Sequence, residues 1–388
     1  MNFEKLTAYI DNLEERYGVP AADCIILKDH EVIYRHMAGH ADHEKQIPLA
    51  GNEYYYLFSA TKVITMTAAM QLIEQGKLAL EDEVSKYLPE YGSMRVIDRE
   101  FTFNVFPMQM PTRDEPSHPA ENKIRIIDLM AMMGGMTYDI NSEAITEAIE
   151  KSGGKANTRE LVKAMAEMPL ICEPGTRWVY SLAHDVMGAV IEVASGEKFS
   201  DYLNGHIFAP LGAKNILFTD DSIKAAAMYN FNFAEGVMDP VPQHNHYKLT
   251  ENYESGGAGL MSTVEAYVTV IDALANGGVG ANGARILNEE SIKRFMQGVT
   301  TGKALEDFKS GGKGAYSYGL GVRVKDGMEN GRSPVGEFGW DGAAGAYCII
   351  DPINRISLFY VQHILGFPTV YSEIHPEIRD LAYEGLGI

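Results

Sequence analysis

Strand-like segments lie at both ends of the chain, helical patterns lie between them, and this order restricts the fold more than any single motif does. Residues 22–28 and 31–37 are apolar runs around a polar turn, which predicts a β-hairpin near the N-terminus. Strand-like runs return at 318–324, 336–338, 345–350 and 356–362. Because the apolar face of a sheet must be covered, we predict an α+β fold: an antiparallel sheet built from both termini, flanked by the N- and C-terminal helices, with an inserted all-helical domain.

The helices are predicted from apolar residues that recur three or four positions apart. One amphipathic helix is expected at 3–17, and a last helix begins near Pro376. Between them, the pattern predicts helices at 81–87, 124–133, 158–168, 183–194, 199–208, 264–275 and 288–296. We therefore place a discontinuous sheet domain at 1–58 and 300–388 and a mainly helical domain at 59–299, with the active site in the cleft between them.

Two segments stand out by their amino-acid composition. The segment 100–119 is rich in phenylalanine, methionine and proline, and we interpret it either as a loop over a pocket or as a small subdomain. A methionine cluster follows at Met130, Met132, Met133 and Met136. Methionine is flexible and fills irregular gaps, which favours core packing over a substrate-binding wall.

Composition excludes several classes of function. With 46% apolar and 22% charged residues the chain is an ordinary globular protein, and its net charge of −20 argues against binding to nucleic acid or anionic membranes. Cys24, Cys172 and Cys348 are too few and too scattered for a disulfide framework. No signal peptide or membrane span is recognisable, so we expect a cytoplasmic protein.

The segment 54–62 has the features of a nucleophile at the start of a helix. An apolar run at 54–58 leads into Ser59, and a helical pattern follows. Ser59 would then lie at the positive end of the helix dipole, where an oxyanion is stabilised. Lys62 lies on the same face, which carries apolar residues and should be buried. Burial lowers the pKa of a lysine, and a neutral lysine beside a serine can take its proton.

A structural interpretation of the same residues stays open. Ser59 could be an N-capping serine, with Lys62 extending its amine to solvent. The same spacing recurs at Ser152, Ser195 and Ser310, without the apolar lead-in and the following helix. Only the first pair has the context that the chemistry needs.

Other candidate chemistry is limited. His244 and His246 have no carboxylate or cysteine at ligand spacing, so we predict no metal site. The glycine loop at 256–259 lacks the Lys-Ser/Thr of a phosphate loop, so we predict no cofactor. His184 and Asp185 begin a helix close to Tyr180 and could touch the site.

Four segments, in this order and spacing, resemble the serine β-lactamase and penicillin-binding-protein superfamily. The similarity is to the branch that contains class C β-lactamases, DD-peptidases, D-aminopeptidases and family VIII carboxylesterases. The segments are Ser-Ala-Thr-Lys at 59–62, Pro-Gly-Thr-Arg-Trp-Val-Tyr-Ser at 174–181, Glu-Ser-Gly-Gly-Ala-Gly-Leu-Met-Ser-Thr at 254–263 and Phe-Gly-Trp-Asp-Gly-Ala-Ala-Gly at 338–345, followed by an Asp-Pro turn at 351–352. The resemblance covers nearly the whole chain and implies a β-lactamase/transpeptidase-like fold.

The resemblance also implies roles for individual residues. Ser59 matches the acylated nucleophile and Lys62 its partner. Tyr180 matches the tyrosine of a Tyr-x-Asn motif, which carries the proton to the leaving group, and a Lys62 ammonium would favour its phenolate. The backbone N–H groups of Ser59 and Ala343 match the oxyanion hole.

The chain departs from the family pattern at substrate-binding positions. Leu182 replaces the asparagine of Tyr-x-Asn. Trp340-Asp341-Gly342 replaces the Lys-Thr-Gly or His-x-Gly strand motif, which removes a cation or histidine that could hold a carboxylate. Residues 129–135 (Leu-Met-Ala-Met-Met-Gly-Gly) stand where relatives show Leu-Leu-x-His-Thr-Ser-Gly. These changes bear on peptide and β-lactam specificity and leave Ser59, Lys62 and Tyr180 in place.

The sequence therefore predicts a serine hydrolase that forms an acyl-enzyme. A carboxylesterase for small or medium apolar esters is favoured. The alternatives are an amide hydrolase, such as a β-lactamase, D-aminopeptidase or DD-peptidase, and a catalytically silent binding protein. The expected partner is a small-molecule ester or amide.

Overall fold

The computed structural model describes residues 1–102, 110–311, 314–329 and 331–388. The strands are β1 (Ala21–Lys28), β2 (Glu31–Asp42), β3 (Ile47–Pro48), β4 (Tyr55–Tyr56), β5 (Arg95–Ile97), β6 (Ser117–Pro119), β7 (Ile216–Phe218), β8 (Met228–Asn232), β9 (Val237–Val241), β10 (Leu260–Ser262), β11 (Tyr316–Tyr318), β12 (Arg323–Lys325), β13 (Phe338–Gly339), β14 (Tyr347–Asp351), β15 (Ile356–Val361) and β16 (Ile364–Leu365).

The helices fill the space between these strands. They are α1 (Glu4–Asp11), α2 (Leu13–Tyr17), α3 (Thr61–Glu74), α4 (Ile126–Met130), α5 (Glu143–Lys151), α6 (Thr158–Met165), α7 (Ala183–Ser195), α8 (Phe199–Leu203), α9 (Ala209–Leu211), α10 (Val264–Ala275), α11 (Glu289–Phe295), α12 (Gly302–Ser310) and α13 (His375–Leu386). Shorter helical turns lie at Phe58–Ala60, Val84–Lys86, Pro89–Ser93, Asn204–Phe208 and Val370–Ile374. Among the described residues, no helix combines the length and the apolar composition needed to cross a membrane.

The main sheet is antiparallel and joins the two ends of the chain. Its strand order is β11-β12-β13-β14-β15-β1-β2-β3. At the junction, β1 from the N-terminal part pairs with β15 from the C-terminal part, and Ile25 faces Phe359 in the register. The predicted α+β fold with an antiparallel sheet built from both termini is confirmed.

Alternating side chains divide the sheet into two buried faces. In β14, Tyr347 and Ile349 pack on the outer face with α1 and α13. Cys348 and Ile350 of the same strand point to the inner face, toward the larger core that contains α3, α7 and α10. Because both faces are covered there, the central strands β14 and β15 are buried along their whole length, and the terminal helices flank the sheet as predicted.

Pairing of two short strands brings distant segments to the start of α3. Strand β4 pairs antiparallel with β10, so that Tyr56 faces Met261. Residues that follow β4 therefore lie beside residues that precede β10. In this way the segment that follows β4, with Ser59 and Lys62, lies beside the glycine loop before Leu260.

Several element bounds differ from the sequence prediction. The strand expected at 318–324 is wrong: β11 and β12 are separate strands joined by a turn, in which Gly321 has a φ of +83°. The helix expected at 124–133 ends at Met130, because Met132 adopts a φ of +56°. The helix expected at 3–17 divides at Asn12 into α1 and α2.

The domain bounds at 58/59 and 299/300 stay a prediction. In the segment 100–119, β6 pairs with β5, while residues 103–109 lie outside the described residues. Met130, Met132, Met133 and Met136 are all buried, so the core interpretation of the methionine cluster is confirmed. Cys24 and Cys348 are buried core residues as well.

Candidate active site

The approach to Ser59 is fixed by a residue in an unusual conformation. Phe58 is fully buried and has a φ of +45°, a region that a bulky side chain rarely adopts. Surrounding structure holds it there: the Leu57 N–H donates to the Leu260 carbonyl (2.9 Å), and the Tyr267 hydroxyl donates to the Ala60 carbonyl (2.9 Å). Such local strain persists only where packing over-determines the backbone, and here it sets the position of the next residue.

Ser59, Lys62 and Tyr180 form one hydrogen-bonded group. The Lys62 amine donates to Ser59 Oγ at 3.1 Å, and the Tyr180 hydroxyl donates to the same oxygen at 2.6 Å. Lys62 is completely buried and Ser59 is buried as well. The interpretation in which Lys62 extends to solvent is therefore wrong, and Ser59 makes no capping bond at the start of α3.

Lys62 has a second partner in the glycine loop. Its amine donates to the carbonyl of Gly257 at 2.7 Å, and it lies 4.8 Å from the ring centre of Tyr180 and 5.4 Å from that of Tyr138. A Cβ atom at Gly257 would come within 2.6 Å of the Asp185 carboxylate and 3.4 Å of the Lys62 amine. Only glycine fits this close approach.

Burial dominates the electrostatics of this group. Burial lowers the pKa of Lys62 to about 7, and the Asp185 carboxylate opposes the shift. The lowered lysine pKa predicted from the sequence is confirmed. Burial raises the pKa of Tyr180 to about 12, while hydrogen bonds with Ser59 and Trp340 act in the opposite direction. The expectation that a Lys62 ammonium favours the Tyr180 phenolate is therefore wrong, because desolvation outweighs it: near neutral pH the phenol keeps its proton and the amine can lose its own.

The turn after β13 closes the site from the sheet side. A Cβ atom at Gly342 would lie 2.4 Å from the Leu57 carbonyl oxygen, so this turn packs directly against the segment before Ser59. The Tyr371 hydroxyl donates to the carbonyl oxygens of Gly342 (2.9 Å) and Ala343 (3.0 Å) and fixes the turn from behind. The assignment of Ser59 and Ala343 N–H groups as an oxyanion hole stays a prediction, which this proximity supports.

Trp340 lies over Tyr180. The two rings are nearly parallel, with centres 5.9 Å apart, and Trp340 Nε1 donates to the Tyr180 hydroxyl at 3.3 Å. Tyr138 also stacks on Tyr180, with ring centres 5.3 Å apart, and Trp178 and Tyr318 extend the aromatic wall. The wall around the proposed nucleophile is thus mostly aromatic.

The remaining predicted substrate-binding residues have partners within the protein. Asp341 accepts a hydrogen bond from the buried Arg323 guanidinium at 2.9 Å. Leu182 is buried at the start of α7 and lines a small apolar cavity with Met136 and Ile145. Their role in substrate binding stays a prediction.

Sequence reasoning missed most of the residues that surround Lys62. Tyr138, Tyr253 and Ser255 received no role, and Asp185 was considered only for its closeness to Tyr180. The adjacent glycines at 256 and 257 were the available signal, because paired glycines before a strand mark a close approach of backbone to another group.

Of the two histidines considered as metal ligands, His246 lies beside the site. His244 and His246 are exposed, and His246 packs against Phe58 with ring centres 5.7 Å apart. Within the described ranges, no group of three or more His, Cys, Asp or Glu side chains is arranged to hold a metal ion.

Comparison with known proteins identifies the family. A family model described as Beta-lactamase matches residues 6–383. The chain belongs to the β-lactamase family. This membership confirms the predicted superfamily and its fold.

Individual relatives of this β-lactamase-family chain include enzymes. Esterase EstB of Burkholderia gladioli is 25% identical over 292 residues, which cover 70% of this chain and 69% of the esterase. Protein Rv1367c of Mycobacterium tuberculosis (strain ATCC 25618 / H37Rv) is 25% identical over 375 residues, 94% of this chain and 90% of that protein. The structure of EstCE1, a hydrolase with promiscuous acyltransferase activity, has a TM-score of 0.76 at 23% identity and covers 98% of both chains. The prediction of an enzyme of the serine-hydrolase type is confirmed.

Proposed function

We propose that the chain is a carboxylesterase that acts through an acyl-enzyme on Ser59. The observation that carries this proposal is the arrangement at Ser59 Oγ, which accepts hydrogen bonds from both the Lys62 amine (3.1 Å) and the Tyr180 hydroxyl (2.6 Å) in a buried setting. A base and an acid on one hydroxyl are what acyl transfer requires.

Acylation begins with neutral Lys62. Ser59 Oγ attacks the ester carbonyl carbon, and its proton passes to the Lys62 amine. The carbonyl oxygen becomes an oxyanion, which the N–H groups of Ser59 and Ala343 would bind. As the C–O bond to the alcohol breaks, the leaving alkoxide takes the proton of the Tyr180 hydroxyl, and Lys62 returns a proton to Tyr180. The products are the free alcohol and acyl-Ser59.

Deacylation uses the same groups in reverse order. A water molecule attacks the acyl carbon and gives a proton to the neutral Lys62 amine. The bond to Ser59 Oγ breaks, and the serine oxygen takes a proton back. The carboxylic acid leaves, and Ser59, Lys62 and Tyr180 regain their starting protonation states.

An ester substrate is favoured over a peptide or β-lactam by the character of the wall. Trp340 occupies the position at which the resembling motif has a cation or histidine, and it packs on Tyr180. Arg323 is a cation on the neighbouring strand β12, and it already donates hydrogen bonds to Asp341, Glu337 and the Cys348 carbonyl. An aromatic wall suits an uncharged apolar acyl or alcohol group. The relative named esterase EstB supports this choice.

The test measures turnover and the mass of the protein with p-nitrophenyl butyrate and with the β-lactam nitrocefin. We expect ester hydrolysis, and an acyl adduct on Ser59 when the reaction is quenched early. Ser59→Ala should lower ester turnover by about a thousandfold or more, because the nucleophile is lost. Little nitrocefin hydrolysis is expected.

A matched control comes from the sequence itself. Ser195 stands in the same Ser-x-x-Lys spacing with Lys198 but lies at the far end of α7. Ser195→Ala should keep ester turnover. Nitrocefin hydrolysis that exceeds ester hydrolysis would favour the amide-hydrolase alternative. No adduct and no turnover with either compound would favour the silent binding protein.

A further inference from the structure

Asp185 is a buried carboxylate that the acyl-transfer steps above do not use. It lies in the first turn of α7 and is only 1% exposed. A carboxylate is rarely buried unless it is hydrogen-bonded or paired with a cation. Its partners therefore indicate its role.

The partners of Asp185 come from the loop before β10. The Tyr253 hydroxyl donates to Asp185 Oδ1 at 2.7 Å, and the Ser255 hydroxyl donates to the same oxygen at 2.5 Å. Ser255 Oγ in turn accepts from the N–H of Ala258 at 2.9 Å. One carboxylate thus holds both ends of the segment 253–258.

Gly257 lies inside this held segment, and its carbonyl is the acceptor for the Lys62 amine at 2.7 Å. The Asp185 carboxylate oxygen Oδ2 would be 2.6 Å from a Cβ at Gly257, which shows how closely the carboxylate, the loop and the lysine are packed. Leu182, at the position where the resembling motif has an asparagine, offers no polar side chain to Lys62. The Gly257 carbonyl therefore helps to orient the Lys62 amine.

We propose that Asp185 is a positioning residue for Lys62, which acts by holding the 253–258 loop so that the Gly257 carbonyl aims the lysine amine at Ser59. The proposal rests on the proposed function, because it assigns Asp185 to the same acyl-transfer site. Asp185 does not touch the reacting atoms.

The charge of Asp185 provides a readout that a merely structural contact would lack. The other titratable groups around Asp185 and Lys62 are Tyr91, Tyr138, Tyr180, Tyr247, Tyr253 and His184. Burial raises the pKa of each of these tyrosines, and burial lowers the pKa of His184 to about 3, so all are uncharged near neutral pH. Burial raises the pKa of Asp185 itself, while its hydrogen bonds with Ser255 and Tyr253 and the nearby Lys62 act in the opposite direction. In its charged form, Asp185 raises the pKa of Lys62 against the effect of burial.

The charge of Asp185 determines the direction in which the pH profile should move. Esterase activity needs neutral Lys62, so activity rises with pH as the lysine loses its proton. Asp185→Asn keeps the size of the side chain and an acceptor oxygen for Tyr253 and Ser255, but it removes the charge. The pKa of Lys62 should fall, and the acid limb of kcat/KM should move to lower pH by about one unit.

The experiment measures kcat and KM for p-nitrophenyl butyrate between about pH 5 and about pH 9. In Asp185→Asn we expect the shifted acid limb together with a roughly ten- to hundredfold lower kcat, because a neutral amide oxygen holds Tyr253 and Ser255 more weakly than a carboxylate and the loop then orients the lysine less well. Tyr253→Phe and Ser255→Ala remove one loop bond each without removing charge. They should lower kcat with little change in KM and leave the acid limb in place.

Two controls separate this proposal from general damage. Asp272→Asn neutralises another buried carboxylate, whose partner is His30 at 2.6 Å, and should leave both the pH profile and kcat unchanged. If Asp185→Asn does not fold, Ser255→Ala carries the test, and an unchanged kcat in that variant overturns the proposal.

The outcomes also distinguish a failure of the proposed esterase function from a failure of the positioning role of Asp185. If the wild-type protein forms no acyl adduct, the proposed function fails. If the wild-type protein is active and Asp185→Asn keeps the wild-type acid limb, the positioning role fails and the esterase stands.

Discussion

A lysine without access to solvent is costly for a folded protein, and Lys62 is such a residue. It is 0% exposed and, among the residues that the structure describes, has two hydrogen-bond acceptors, Ser59 Oγ and the Gly257 carbonyl. The lowered pKa of about 7 expresses this cost, because the folded state disfavours the charged amine. The same feature makes the amine available as a base at neutral pH.

Lys62→Met should abolish ester turnover and raise stability, and the gain should depend on pH. The pKa of Lys62 is about 7 in the folded protein against 10.5 ordinarily, so between these values the unfolded chain binds the extra proton. The wild-type free energy of unfolding should then rise through this window by about 1.4 kcal/mol per pH unit relative to the variant. The full cost of the buried ammonium is present below pH 7.

Thermal or urea unfolding of both proteins at about pH 6 and about pH 9 checks this expectation. The stability advantage of Lys62→Met should be largest at the lower pH and smaller at the higher one. A pH-independent difference between the two proteins would contradict a neutral lysine in the folded state.

At the residue scale, the sequence predicted the reactive group better than its surroundings. Ser59 and Lys62 are three positions apart on one helix, so local periodicity was enough to place them together. Asp185 and Ser255 are 70 residues apart, and their contact depends on how α7 packs beside the β10 loop. The phenolate expectation failed because the sequence gives charge but not burial, and burial decides the pKa of Tyr180.

Among the elements, the loop before β10 contributes most to the site. It reaches Ser59 through the pairing of β4 with β10, and Asp185 holds it through Tyr253 and Ser255. Backbone rather than side-chain atoms of this loop face Lys62. Its glycines are therefore a steric requirement.

Gly257→Ala should abolish or strongly reduce acylation of Ser59 while the fold is kept. The new methyl group would meet the Asp185 carboxylate at 2.6 Å and the Lys62 amine at 3.4 Å, so one of these groups must move. A misplacement of about 1 Å at a reacting group can cost about a hundredfold in rate. Intact-protein mass after exposure to p-nitrophenyl butyrate, with the unfolding temperature beside it, measures both effects.

Gly205→Ala is the matched control for this substitution. A Cβ atom at Gly205 meets nothing within 4 Å. Alanine there should keep acylation and, because Gly205 lies in a helical segment, should be neutral or slightly stabilising. Equal acylation in Gly257→Ala and in the wild type would rule out the steric argument.

Element types were predictable where one periodicity ran without interruption. Helix α10 has the predicted bounds, 264–275, because its apolar stripe is continuous and Thr263 caps it by accepting from the Ala266 N–H. The prediction at 318–324 was wrong because Tyr318 and Val324 belong to two different strands, while Leu320 and Val322 lie in the turn between them. The turn between them depends on the positive φ of Gly321, which an apolar pattern cannot reveal.

At the scale of the whole molecule, the two ends of the chain complete one sheet. Strand β1 pairs with β2 at once but obtains its second partner only when β15 has been made, more than three hundred residues later, so the sheet cannot close early in synthesis. The face of that sheet opposite the site is covered by α1 and α13. The Tyr371 hydroxyl, just before α13, also holds the turn at Gly342 and Ala343, which connects the terminal segment to the site.

Removal of α13, by ending the chain at Ile374, should therefore prevent folding rather than only weaken the site. The truncation removes the buried side chains of Ile378 and Tyr383, and Tyr347 and Ile349 of β14 become exposed. Each fully buried apolar side chain of this size contributes about 1.5–3 kcal/mol, and the sum equals the whole stability of a typical domain, about 5–15 kcal/mol.

Far-UV circular dichroism during heating and size-exclusion chromatography measure the outcome. The shortened chain should show no cooperative transition and should elute as aggregate. A chain that ends at Leu386 loses only the exposed Gly387 and Ile388 and should behave as the full chain does. If the chain ending at Ile374 still melted cooperatively and reacted with p-nitrophenyl butyrate, the sheet and the Gly342–Ala343 turn would be stable without the terminal helix, and the dependence of the site on the outer face would be disproved.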